Sequence, residues 1–102
     1  MARLDQLRKL AAAQPQDPFT HYGVALECVQ LERWEEALAA FEKTLAIDRE
    51  YAAAYFQKAR TELKLGRRKE AVATLEAGIL VAVDKGETHT ASKMRELRET
   101  LA

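Results

Sequence analysis

The chain has 102 residues, with 16 basic and 16 acidic side chains and a formal net charge of zero, which argues against whole-molecule attraction to nucleic acid or an anionic membrane. Apolar residues make up 48% and charged residues 31%, with few aromatics, prolines and glycines; this excludes a disordered chain and favours helix over sheet. No apolar run approaches the roughly 18–20 residues of a membrane span.

The length fits one all-helical domain over 1–102. The opening MARLDQLRKL is charged and amphipathic, without the apolar core of a signal peptide. The single cysteine, Cys28, offers no intrachain disulfide. The expectation is a soluble, cytoplasmic protein.

Six helices are predicted. The first, over 2–13, carries Leu4, Leu7, Leu10 and Ala11 on one face. Pro15 and Pro18 separate it from the second, which Asp17 is placed to cap with Pro18 at the first helical position. The second runs to about Leu31 and the third spans 34–47, with Trp34, Ala37, Leu38, Phe41 and Leu45 inward. The fourth covers 51–64 and ends at Gly66, a residue that adopts the left-handed conformation without a Cβ clash. The fifth runs from Arg68 to Val83. After Asp84–Lys85–Gly86 the last helix, 88–101, buries Met94, Leu97 and Leu101. The short turns imply antiparallel neighbours.

The chain also aligns with itself, positions 18–51 against 52–85, without a gap. Ala25, Leu31, Arg33, Glu36, Ala37, Ala39 and Glu42 recur as Ala59, Leu65, Arg67, Glu70, Ala71, Ala73 and Glu76. A period of this length marks stacked helical units, none of which buries its apolar face alone. The block Trp34–Phe41, matched by Arg68–Leu75, resembles the tetratricopeptide repeat, a helix–turn–helix unit. In that register residues 2–13 are the second helix of a partial repeat, 18–51 and 52–85 are full repeats, and 86–102 is a capping helix. The fold implied is a right-handed α-helical solenoid of antiparallel helix pairs. His21, Tyr55 and His89 fall into one slot, each a repeat length from the next. Three departures stand out. The family's closing proline is replaced by Arg49 and Val83. Glu32 occupies the place of Gly66, so that turn either carries about 1 kcal/mol of left-handed strain or adopts another geometry. Lys58 sits where Val24 packs.

No catalytic constellation assembles. His21 and His89 lie too far apart in a solenoid to share a metal, and no Cys or carboxylate cluster has ligand spacing. Cys28 sits on an apolar helix face as a buried, inert thiol. The glycines are scattered and form no phosphate loop. Glu35 and Glu36 are neighbours on a helix and face different directions. The expectation is a protein that is not an enzyme, with no metal and no cofactor.

The resemblance implies a groove, lined by the first helix of each repeat, that holds a peptide or helix of a partner protein. By register its candidate contacts are Phe19, Tyr22, Leu26, Phe56, Arg60 and Lys64, with Met94 and Leu97 from the last helix. The family's carboxylate clamp places Lys and Asn where this chain has Tyr22 and Leu26, so that mode is not expected. The expected ligand has apolar anchors and an acidic residue facing Arg60 and Lys64. The basic corner of Lys58, Arg60, Lys64, Arg67, Arg68 and Lys69 lacks interleaved aromatics and reads as a solvated surface, not a nucleic-acid site. The rival role is self-assembly: a homodimer formed through Met94, Leu97 and Leu101 of the last helix.

Overall fold

The computed structural model describes residues 2–101; Ala102, the end of the expected capping segment, lies outside them. The described residues form six helices and no strand: α1 (Arg3–Ala13), α2 (Pro18–Gln30), α3 (Trp34–Ile47), α4 (Ala52–Lys64), α5 (Arg68–Asp84) and α6 (Thr88–Thr100). Each packs on the next in sequence, and α4 also meets α6. The result is an α-helical solenoid measuring 41 × 28 × 19 Å.

Local chemistry sets the helix ends. Asp17 accepts a 2.9 Å hydrogen bond from the Phe19 N–H at the start of α2, with Pro18 as first helical residue. The turns after α2, α4 and α5 share one geometry. In each, a residue with positive φ donates its N–H three residues back at 3.0 Å, and the next residue donates five back at 2.8 Å. This is the Schellman closure of a helix. Gly66 and Gly86 hold that position at φ 75° and 72°, and Glu32 holds it at φ 57°. Of the two geometries open to the Glu32 turn, the left-handed one is therefore present, on a residue whose Cβ crowds the backbone there.

Small residues sit where paired helices cross. Ala25 and Ala37 between α2 and α3, and Ala59 and Ala71 between α4 and α5, are all fully buried. Around them Leu4, Val24, Cys28 and Phe41 build one half of the core, and Leu75, Ala82, Ala91 and Met94 the other.

The period is not uniform. α2, α4 and α6 begin at Pro18, Ala52 and Thr88, so the second interval is longer than the first by two positions. The cause is α5, which has 17 residues against 14 in α3. This corrects the expected slot. The His21 ring Nε2 donates to the Pro15 carbonyl at 2.9 Å and the Tyr55 hydroxyl to the Arg49 carbonyl at 2.8 Å, each six residues back. His89 is instead exposed, and Ala91 is the buried residue of that turn.

Candidate functional site

A groove of about 680 Å³ is walled by α1 and α2, with α4 at its rim. From α1 come Arg3, Leu7 and Leu10; from α2 come Phe19, Tyr22, Leu26 and Val29; from α4 come Gln57 and Arg60. The apolar lining comes from Phe19, Tyr22, Leu26 and Val29 of α2, with Thr20, Gly23, Glu27 and Gln30 between them. Phe19 is 66% exposed and Leu10 44%. Tyr22 is half-buried; its ring stacks at an angle on Tyr51 at 4.9 Å and on Phe41 at 5.9 Å. Burial, reinforced by the nearby Tyr51, pushes its phenol pKa up, so it stays neutral.

The six sequence-predicted contacts are distributed unevenly. Phe19, Tyr22, Leu26 and Arg60 share the groove. Phe56 is not part of its lining but lies beneath the rim: the Arg60 guanidinium and the Lys93 ammonium each sit 5.6 Å from its ring centroid. Lys64 points elsewhere, with its ammonium 5.6 Å from the Trp34 ring. Met94 is fully buried against Gly78, and Leu97 and Leu101 join the same core. That face of α6 is packed into the core of its own chain.

The basic corner is largely partnered. Arg67 bridges to Glu35 at 3.0 Å. Arg68 donates to the Leu101 carbonyl at 2.8 Å, and Lys58 lies 3.9 Å from Glu62. Lys58 thus leans towards a buried carboxylate. Arg60 has no carboxylate partner among the described residues.

Sequence reasoning missed Glu62. It is 3% exposed, accepts a 2.7 Å hydrogen bond from Thr74 Oγ1, and burial pushes its carboxyl pKa up. The repeat register carries the signal, because Glu62 stands where Cys28 does, and Cys28 is fully buried. Burial likewise pushes the Cys28 thiol pKa up, so no activated nucleophile is present at that position. Among the described residues no group of three or more His, Cys, Asp or Glu side chains is placed to hold a metal ion. No helix among them is long and apolar enough to cross a membrane.

The model of the tetratricopeptide repeat family matches residues 29–91. The chain belongs to the tetratricopeptide repeat family. No curated protein matches the sequence. Among solved structures, a tetratricopeptide repeat domain protein from Salinibacter ruber is 30% identical, over 85% of this chain and 88% of that one, with a TM-score of 0.79. The TPR2B domain of yeast Sti1, in a complex with pHsp70, is 19% identical over 96% of this chain and 78% of that one, with a TM-score of 0.91. PcrH, in complex with the chaperone binding region of PopD, is 17% identical over 96% and 74%, also at 0.91. The last two likenesses show that this tetratricopeptide repeat chain shares their solenoid fold.

Proposed function

We propose that this tetratricopeptide repeat protein is a non-catalytic interaction module that holds a peptide or helix of a partner protein in the concave groove. The observation that carries this reading is the 680 Å³ groove, which sets an apolar floor of Tyr22 and Leu26 beside the strongly exposed Phe19 and an Arg60 without a carboxylate partner. Aromatic anchors with a neighbouring arginine are the residue types that most often dominate interface energies. The fold relatives seen with pHsp70 and with the PopD segment support a role in protein recognition. Phe19, Tyr22 and Leu26 supply apolar contact, Arg60 orients an acidic residue, and Phe56 backs Arg60. Lys64 is the peripheral member, reaching the ligand only if it leaves Trp34.

The test is affinity capture from native lysate, wild type beside the Tyr22→Ala/Arg60→Glu double variant, with both shown to be folded by circular dichroism. A protein held by wild type and lost by the variant supports the groove. Equal capture by both removes it.

A further inference from the structure

A second concavity, of about 290 Å³, opens between α1, α2 and α3. Arg8 and Ala11 of α1, His21 and Val24 of α2, and Glu36, Ala39, Ala40 and Lys43 of α3 line it, and none of them borders the groove. The pocket is there because the repeats differ in side-chain size. One repeat on, Ala11, Val24 and Ala40 become Leu45, Lys58 and Thr74. Leu45 packs against the core, Thr74 is buried on Glu62, and Lys58 leans to the same carboxylate. Larger side chains thus stand at the matching positions of α3, α4 and α5, where α1, α2 and α3 leave space.

The polarity of this pocket is one-sided. Ala11, Val24, Ala39 and Ala40 give it an apolar lining, and the buried His21 is fixed by the hydrogen bond from its Nε2 to the Pro15 carbonyl. Glu36 and Lys43 stand about 10 Å apart along α3. The Glu36 carboxylate is already held by two guanidinium groups, Arg8 at 3.0 Å and Arg33 at 3.1 Å. Lys43 has no hydrogen-bond or ion-pair partner among the described residues. Its neighbours one turn away on the helix are Ala39, Ala40, Ala46 and Ile47, none of which offers a carboxylate. The next repeat has Ala77 in the place of Lys43, so neither the space nor the ammonium is repeated.

We propose that this pocket binds a small molecule, a short-chain aliphatic carboxylate, with its carboxylate on Lys43 and its alkyl chain along Ala11, Val24, Ala39 and Ala40. The inference goes beyond the groove reading and does not depend on it. An apolar lining with one well-placed polar group is the usual build of a small-molecule site. Charge selects the acid over an amine, because the ammonium of Lys43 is free while the carboxylate of Glu36 is doubly paired. A protein segment is a poorer occupant. None of the exposed large hydrophobic residues, Leu10, Phe19, Leu31, Leu80 and Val83, lines the pocket, so a partner chain would find no apolar anchor beside it.

The probes are butyrate, butylamine and butanol, each titrated at constant ionic strength into the full ¹⁵N-labelled chain and followed by amide shifts. Butyrate is expected to shift the amides of 11, 21–24 and 39–43, and to saturate with a Kd on the order of 1–10 mM. It should bind at least about ten-fold more tightly than butylamine or butanol. Lys43→Ala, which installs the residue of the next repeat at an exposed site, should weaken butyrate about ten-fold with an unchanged melting curve. Ala11→Leu, which installs Leu45 of the next repeat, should abolish binding by filling the space, with folding checked by circular dichroism. The Tyr22→Ala/Arg60→Glu variant should bind butyrate as wild type does, since neither residue lines this pocket. The site is overturned if no saturable shift appears up to about 50 mM, if the three probes bind alike, or if Lys43→Ala makes no difference. It is also overturned if a short glutamate-containing peptide binds more tightly than butyrate, which would make the pocket a seat for a partner's side chain.

Discussion

Thr74 Oγ1 of α5 donates a 2.7 Å hydrogen bond to the carboxylate of Glu62 in α4, where the corresponding position of the preceding helix pair holds the thiol of Cys28. An ionisable group thus stands in for an apolar one at a fully buried crossing. Thr74 and, at 3.9 Å, Lys58 favour the charged form. Burial opposes it and dominates, with Glu70 and Glu42 adding repulsion, so the pKa is raised.

The raised pKa has a definite sign. A carboxyl that holds its proton more tightly folded than unfolded contributes stability below its unfolded pKa and loses it as pH rises through the folded one. Glu62→Gln keeps an acceptor for Thr74 and removes the desolvated charge; Lys58, whose side chain keeps 21% exposure, can turn to water. The variant should melt above wild type at neutral pH, with the gap narrowing as pH falls through the carboxylate range. Melting curves at stepped pH measure this, and a gap that does not change with pH would contradict it.

At Glu32, φ is 57°, in a turn that is otherwise the same as those at Gly66 and Gly86. Glu32→Gly should therefore stabilise the chain by about 1 kcal/mol, the left-handed penalty of a residue with a Cβ. For a chain of this size that corresponds to a rise of about 4–8 °C in Tm. Glu32→Ala, which keeps the Cβ, should give none of this gain.

Gly78 shows the reverse case. A Cβ built there would lie 2.5 Å from the Tyr55 Cβ and 2.7 Å from the Met94 Sδ. Alanine gains about 1 kcal/mol in helix propensity, but the Tyr55 Cβ is fixed to its backbone, so α4 and α5 would have to separate. Overpacking of about 1–3 kcal/mol should prevail, and Gly78→Ala should lower the midpoint of urea unfolding. An unchanged or higher midpoint would mean that the crossing is looser than these distances imply.

Ala37 lies fully buried at the α2–α3 crossing. Ala37→Leu should destabilise by roughly 1–3 kcal/mol through overpacking, whereas the same change at the exposed Ala39 of α3 should be nearly neutral. Paired denaturation curves separate the two sites.

The helices were legible in the sequence because their causes are local. Asp17 and Pro18 start α2, Gly66 ends α4, and apolar spacing of three and four residues aims each face inward. The alignment of Glu32 with Gly66 marked that turn as a place of strain or of altered geometry, and φ decides for strain. His89 was misplaced because three extra helical residues in α5, which Gly86 closes, shift α6 by two positions against a fixed repeat length.

By itself, then, the sequence determined the repeating helical pairs, their turns and their small-residue crossings, all governed by interactions within a few residues or by a fixed period. Tertiary structure decided which charges are bound and which are available. The pairs Arg8–Glu36 and Arg67–Glu35 and the Lys85–Glu50 carbonyl bond join residues 28, 32 and 35 apart. It likewise decided that Lys64 rests on Trp34, that Met94 is buried, and that Leu10 and Phe19 border an open groove. These outcomes depend on distances between stacked helices, and only the three-dimensional superposition of repeats sets those distances.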